Sequence, residues 1–316
     1  MQHVSSARAL ASLLLALGVA ASPAAAQSRV NELWRMREHD AVSLVSTFTR
    51  DAQGGHMRLE VARVPLGADA AAPPLTAAVT HAHRDAAARL VYEGDPVATT
   101  LVATPDGAAV IAWSATKVVV HLVNLGVPAT DAAALRHVEL PRGLGADSQP
   151  FAAVGCMKDG AVAVLWNEVG RGTGMAARSW LAHVALDGTV SLAAHEVQVP
   201  WSLAALTSVA DGYELAVRYD GQGPGQTRLC LVHLAGETPN EHPWWASPPA
   251  MIGDVQLVAQ GDAVRIAYAT PGGVLLSAQR ATGQWGQEAP ASARLAAPSA
   301  FAVGLRSSGQ PGIATP

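Results

Sequence analysis

One phrase occurs four times along the chain, as PDGAAVIAW (105–113), KDGAVAVLW (158–166), ADGYELAVRY (210–219) and QGDAVRIAY (260–268). The aromatic residues that close the four copies lie 53, 53 and 49 residues apart. Self-similarity at an interval of this size is typical of an array of similar supersecondary units. The phrase therefore predicts a repeat architecture, and it says much less about what that architecture does.

Each copy of the phrase has the character of a β-strand that is buried on both faces. It consists of a short apolar run that ends in an aromatic residue, and near-continuous apolarity over such a length indicates a strand covered on both sides. An Asp-Gly pair precedes the run in three copies and a Gly-Asp pair in the fourth. Because glycine accepts a positive φ without strain, these pairs predict tight hairpin turns.

The segments around each phrase predict three more strands per repeat. The expected first strands include 151–157 and 203–209, the third strands are 117–125, 179–186, 227–234 and 273–280, and the fourth include 136–140 and 190–199. An earlier pair, 42–50 and 57–64, has the same two-strand character. Four antiparallel strands in roughly 40–50 residues are typical of a propeller blade.

We therefore predict an all-β fold, a β-propeller of about six four-stranded blades, with five or seven also open. Four blades are complete, and a fifth surrounds Phe48. The last is expected to combine 299–316 with 27–40, so that joining the N- and C-terminal strands closes the ring and removes free edges. Residues 65–96 fit the pattern least and suggest an insertion or a degenerate blade. A β-sandwich is the alternative, but its strands do not repeat in groups of four.

The first 26 residues have the order of a cleavable secretory signal. An apolar run at 9–21 is followed by Ser22-Pro23 and three alanines, which predicts cleavage before Gln27. The run is short for a bilayer span, which needs ~20 residues. The first cysteine is Cys156, so no lipobox cysteine follows the run. We expect a signal peptide at 1–26, one propeller domain at 27–316, and a protein that is secreted or periplasmic without membrane insertion.

The net charge limits the classes of binding partner, and the two cysteines raise the question of a disulfide. The formal net charge is −4, which favours neither nucleic acid nor an anionic membrane as a partner. Cys156 and Cys230 are the two cysteines, and both fall in expected strands of different repeats. An oxidising compartment permits a disulfide between them, whereas buried free thiols are the alternative.

The blade phrase resembles that of the secreted sialidase-like propellers, the Asp-box family, in which an Asp and Gly turn precedes a strand that ends in Trp. This resemblance implies a propeller fold over most of the mature chain. The family's box has the form Ser-x-Asp-x-Gly-x-x-x-Trp, whereas Asp106-Gly107 are adjacent here. The family also uses an Arg triad with a Tyr/Glu pair and an Arg-Ile-Pro motif. Its nearest match, Arg63-Val64-Pro65, lies at a different place in its unit, so no catalytic residue is carried over.

Histidines offer two candidate metal sites that we do not favour. Equivalent places in the third strands hold His121, His183 and His233, and a strand end holds His81 and His83, which His39 or His56 could join. Metal ligands must lie ~2 Å from one ion, and third strands of different blades stay far apart. Inherited packing positions and a solvated strand end explain these residues better. We expect no metal and no cofactor.

Aromatic and charged residues in the linking segments form the candidate ligand platform. Links from a fourth strand to the next first strand gather on one face of a propeller, and a glycine-rich loop at 167–179 is expected to open there too. The platform residues are Trp201, Trp244, Trp245, Glu241, His242, Arg171 and Arg178. Flat aromatic rings with a polar edge are frequent in binding patches. The alternative is that the tryptophans pack between blades.

The sequence thus favours a non-enzymatic scaffold, in monomeric form, that binds a protein or carbohydrate ligand through its loop face. The alternative is a glycoside hydrolase or lyase that acts on polysaccharide, since one scaffold hosts many chemistries. That reaction needs two carboxylates about 5–10 Å apart. The candidate loop carboxylates are Asp95, Asp147, Glu168, Asp220 and Glu241. A purely structural component of a cell-surface assembly is a third reading.

Overall fold

The computed structural model describes residues 27–315 except 38–39, 52–53, 67–77, 82–87, 171–176, 200–201, 221–226, 236–237, 242–253, 261–262, 270–273, 282–283, 286–288, 295–300 and 306–310. Every regular element in these ranges is a β-strand, as the short apolar runs predict. A helix with the length and apolarity to cross a bilayer does not occur among them.

The structure contains twenty-four strands within its described ranges. They are β1 (Gln27–Met36), β2 (Asp40–Asp51), β3 (Gly54–Pro65), β4 (Ala78–His81), β5 (Arg89–Gly94), β6 (Ala98–Thr104), β7 (Gly107–Trp113), β8 (Val118–Asn124), β9 (Leu135–Leu140), β10 (Ser148–Lys158), β11 (Ala161–Gly170), β12 (Ala177–Ala185), β13 (Val190–Val197), β14 (Ser202–Val209), β15 (Gly212–Asp220), β16 (Thr227–Ala235), β17 (Thr238–Glu241), β18 (Val255–Gln260), β19 (Ala263–Ala269), β20 (Val274–Ala281), β21 (Gln284–Trp285), β22 (Ala289–Arg294), β23 (Ala302–Leu305) and β24 (Pro311–Thr315).

These strands form six sheets in the described part of the chain. In order of pairing, sheet 1 is β1-β2-β3-β5, sheet 2 is β6-β7-β8-β9, sheet 3 is β10-β11-β12-β13, and sheet 4 is β14-β15-β16-β17. Sheet 5 is β18-β19-β20-β21, with β22 also on β20, and sheet 6 is β23-β24-β4. All pairings are antiparallel except that of β24 with β4. The prediction of multiple four-stranded antiparallel units is confirmed.

The repeated phrase forms the second strand of sheets 2 to 5, which confirms its predicted place. In sheet 3 the turn before it holds Asp159 at φ 49° and Gly160 at φ 77°. Two consecutive residues with positive φ define the type I′ turn, whose twist matches that of the strands it joins. This turn fixes the register of β10 and β11, because Lys158 pairs with Ala161 across it.

Alternate side chains of the phrase serve two different interfaces. On β11, Val164 and Trp166 enter the cluster shared with sheet 2, whereas Ala163 and Leu165 enter the cluster shared with sheet 4. The strand is buried along almost its whole length. Because successive residues of a strand point to opposite faces, a continuous apolar run is what a sheet packed on both sides requires.

Apolar clusters connect the sheets to one another in succession. Sheets 1 and 2 share Leu44 and Val110, sheets 2 and 3 share Ile111 and Val164, sheets 3 and 4 share Leu165 and Leu215, sheets 4 and 5 share Leu231 and Tyr268, and sheets 1 and 6 share Trp34 and Ala302. The first strands also contact each other in the order β1, β6, β10, β14, β18, β23 and back to β1.

The predicted pairing of the two chain ends is wrong. We expected 27–40 and 299–316 to share one sheet, but β1 pairs with β2 over ten residues, and the C-terminal β24 pairs with β4. The short connection between β1 and β2 explains the first pairing, because a short loop costs little entropy to close. The irregular segment at 65–96 supplies β4, which is an excursion from sheet 1 into sheet 6.

Gly155 tests how tightly sheets 2 and 3 pack. A Cβ there would meet the side chain of Ile111 and approach the carbonyl oxygen of Ala163 to 2.9 Å. Gly155→Ala is expected to lower the free energy of unfolding by about 1–3 kcal/mol, since overpacked cores force neighbours to shift. Urea denaturation measures this, with Gly126→Ala on an exposed turn as the matched control. Equal stability of both variants and the wild type would contradict the packing described.

Candidate functional site

The first strands of the six sheets enclose a cavity of about 420 Å³. Its walls come from β1, β6, β10, β14, β18 and β23, so every sheet contributes one strand. Most of the lining is apolar, with Val154, Leu206 and Leu257 as examples. Its polar groups include the side chains of Cys156, Thr207 and Gln256, which are all buried.

A polar clamp, formed by Arg35, Asp254 and Gln256, holds three sheets together at this cavity. The Arg35 guanidinium donates two hydrogen bonds to the Asp254 carboxylate, at 2.7 and 3.0 Å. The Gln256 Nε2 lies 2.9 Å from the same carboxylate and 2.7 Å from the carbonyl oxygen of Phe301, just before β23. A two-point Arg–carboxylate pair fixes both distance and orientation. The sequence carries no local signal of the clamp, because its charged partners are 219 residues apart.

The cavity is lined by a cysteine whose thiol is unreactive at neutral pH. Cys156 on β10 is a free cysteine, and burial raises the pKa of its thiol to about 12. The thiolate is the reactive form of cysteine, and at neutral pH almost none is present. Of the two alternatives for Cys156, the structure has the buried free thiol; the side chain of Cys230 lies outside the description.

Glu168 was predicted to lie on a loop, and this prediction is wrong. It lies within β11 and has no exposed surface, because β11 extends further than expected, to Gly170. Its carboxylate accepts hydrogen bonds from the backbone N–H groups of Gly143 and Leu144, the Ser148 hydroxyl and the Trp166 indole. Four donors compensate the buried charge, so Glu168 fastens the loop before β10 instead of facing a ligand.

The three equivalent histidines each have a different partner. His121 and His137 lie opposite each other on β8 and β9, with their Nδ1 atoms 2.6 Å apart. His183 bonds the hydroxyl of Tyr213 in the next sheet. The remaining one, His233, lies 3.1 Å from the buried Glu214 and 3.4 Å from Asp211. Within the described ranges, no three His, Cys, Asp or Glu side chains converge as metal ligands would.

The structure leaves the predicted ligand platform untested. Trp201, Trp244, Trp245, His242 and Arg171 lie outside the described residues. Glu241 is the last residue of β17, and its backbone pairs with Val232. The exposed Arg178 on β12 forms an ion pair of 3.0 Å with Glu196 on β13. Surface pairs of this kind contribute little stability, so the guanidinium is open to exchange of partners.

The chain is similar to several solved structures at low identity. One is the ectodomain of the parainfluenza virus 5 hemagglutinin-neuraminidase, with a TM-score of 0.49 and 10% identity over 84% of this chain and 73% of that one. The Aleuria aurantia lectin has a TM-score of 0.48 and 12% identity over 90% and 87%. A thermostable family-43 glycoside hydrolase has a TM-score of 0.44 and 10% identity over 82% and 92%.

The sequence comparisons identify no relative of this chain. No protein-family model matches the chain, and no curated protein matches it either. The structural likenesses are too distant to transfer any chemistry, so the site is interpreted from its own residues.

The pair of His121 and His137 predicts a loss of stability in mild acid. Burial first, and then His137 and Lys117, lower the pKa of His121 from 6.5 to about 4. The unfolded chain therefore takes up a proton near pH 6.5, whereas the folded protein does so only near pH 4. The free energy of unfolding is expected to fall across this window, by up to about 3 kcal/mol from this group, and to level off below it.

Urea denaturation between pH 7.5 and 4 measures this slope. His121→Leu is expected to make it shallower, because the contribution of this imidazole is gone, whereas that of His183, whose pKa burial also lowers, remains. His56→Leu, at an exposed histidine beside Glu93, is the control and keeps the wild-type slope. A wild-type slope in His121→Leu would show that burial of this imidazole is not the cause.

Proposed function

We propose that the six sheets are the blades of a β-propeller, and that the protein is a scaffold that binds a protein or carbohydrate ligand through the loops on one face. The cyclic order of contacts among the six first strands supports the propeller arrangement. The cavity between those strands then corresponds to the central channel. In this proposed arrangement the ring closes at sheet 6, in which the early strand β4 pairs with β24.

The observation that carries the binding proposal is the anchoring of the link between β17 and β18. This link begins after Glu241 and ends at Asp254, whose carboxylate is clamped by Arg35 at the cavity. The sequence of the link contains Trp244 and Trp245. As part of this proposal, we place both tryptophans on the ligand-binding face. Trp201 directly precedes β14, which also lines the cavity.

Rigid support is the second argument for a binding face. Preorganised loops bind better because less conformational entropy is lost on binding. Glu168 fixes the loop before β10 with four accepted hydrogen bonds, and the clamp at Asp254 fixes the start of β18. Both devices hold segments that lead into first strands, which are the segments that a propeller presents at one end of its channel.

Ligand binding is tested with the purified 27–316 chain on a glycan array and against extracellular protein extracts, followed by titration of each hit. Trp244→Ala and Trp245→Ala are each expected to weaken binding tenfold or more, as aromatic anchors do. Val190→Ala, at an exposed apolar side chain on β13, is the control and leaves binding unchanged. Unchanged affinity in both tryptophan variants would contradict the platform.

The same hits distinguish binding from catalysis. A scaffold returns each glycan intact after long incubation. Cleavage that is lost in Glu241→Gln would replace the scaffold proposal with the hydrolase or lyase alternative, because a single carboxylate would then carry an acid or base step.

We also propose export with removal of residues 1–26. The supporting observation is that Gln27 already pairs with Arg50, so cleavage before Gln27 leaves the described part of sheet 1 intact. Expression in a host with a secretory pathway, followed by mass spectrometry of the purified protein, is expected to give an N-terminus at Gln27. An intact Met1, or an N-terminus within β1, would contradict this proposal.

A further inference from the structure

A second pocket of about 420 Å³ lies at the end of β1 and adjoins the central cavity, with which it shares Met36, Arg37 and Ala103. Its walls come from the end of β1, the start of β2, the end of β3 and the end of β6. Arg37, Asp40 and Arg63 supply its charged side chains, and Thr104 with Pro105 forms the facing wall. None of these residues belongs to the predicted ligand platform.

Two guanidinium groups converge on one carboxylate in this pocket. Asp40 is only 4% exposed. The Arg37 Nε lies 3.1 Å from the Asp40 Oδ1, and the Arg63 Nε donates to the Asp40 Oδ2. Both arginines thus face the carboxyl group with Nε, Arg63 through a hydrogen bond and Arg37 through an ion pair to Oδ1, which accepts no hydrogen bond. The three described charges sum to one net positive charge beside an open volume.

The orientation of the two arginines leaves several of their N–H donors unused by Asp40. A guanidinium has five N–H donors in a fixed planar fork, and the contact with Asp40 through Nε uses only one of them. Arg37 donates a further bond from Nη2 to the carbonyl oxygen of Pro105. Both Nη groups of Arg63 make no hydrogen bond to another described residue, and the Arg63 side chain is 59% exposed.

We propose that this pocket is a binding site for an anion that carries a carboxylate, phosphate or sulfate group. The Nη groups of Arg63 and the remaining Nη1 of Arg37 bind the anion, because planar forks match the oxygen geometry of these groups. Asp40 is a positioning residue: it accepts a hydrogen bond from the Arg63 Nε and forms an ion pair with the Arg37 Nε, which turns the Nη donors of both arginines away from the carboxylate. One buried carboxylate cannot neutralise two arginines, which leaves the charge that the anion balances.

The charge of the whole protein makes the site distinguishable from general attraction. At a formal net charge of −4, the chain repels anions on average. Binding at the pocket is therefore local, and it is expected to weaken as added NaCl screens the arginines.

Calorimetric titration of the 27–316 chain at low ionic strength tests the site, with inorganic phosphate, sulfate and glucuronate as separate probes. Arg63→Ala is expected to weaken binding at least tenfold, and Arg63→Lys is expected to fall between it and the wild type, because a lysine keeps the charge and loses the fork. Preference for glucuronate over phosphate would identify an acidic sugar as the source of the anion, and the reverse preference a phosphorylated ligand.

Arg58→Ala is the matched control. Arg58 lies on the same strand, β3, and pairs with Glu60 on an exposed surface, so the variant removes the same charge outside the pocket. It is expected to bind each probe as the wild type does. Thermal unfolding of all variants checks that they fold. No binding by the wild type, or equal loss in Arg58→Ala and Arg63→Ala, would overturn the proposal.

Discussion

A four-stranded sheet with apolar side chains on both faces cannot exist alone in water, and the rest of this structure follows from that constraint. The second strand of each central sheet sends alternate side chains to two different neighbours, as Val164 and Leu165 do on β11. Burial of apolar surface contributes roughly 25 cal/mol per Å², so each sheet depends on the two that flank it. The succession of clusters from sheet 1 to sheet 5 is the direct expression of this dependence.

The polar groups that line the cavity also hold the sheets together. Arg35 and Asp254 connect sheet 1 with sheet 5, and Gln256 reaches the strand between them. A buried carboxylate or amide is tolerated only where its hydrogen bonds are made, so these contacts fix where the sheets meet. The two arginines around Asp40 differ, because there the charges do not balance within the described residues. This difference in charge balance distinguishes the clamp at Asp254 from the pocket at Asp40 that we propose binds an anion.

Much of the fold could be predicted from the sequence, because the repeated phrase encodes strand period, turn type and burial within a few residues. The Asp159-Gly160 turn and the strands on both sides of it were predicted correctly for this reason. The pairing of β4 with β24 could not be, since it joins segments more than 200 residues apart through four residues with no distinctive pattern. Glu168 was misplaced because the residues after Trp166 look like a loop, whereas β11 continues over them. Of the platform residues, only the exposed Arg178 has a described side chain, so the ligand platform stays a prediction.

The excursion that places β4 beside β24 has a consequence for how the chain assembles. Synthesis makes β4 more than 200 residues before β24, so β4 waits without its partner while the strands between them are made. Until then its edge is open to other chains, a known route to misassembly. A chain that lacks only β24 would keep the same edge of β4 unpaired. β24 thus completes a sheet whose other edge strand is made much earlier, and its pairing with β4 covers a strand edge that would otherwise remain unpaired.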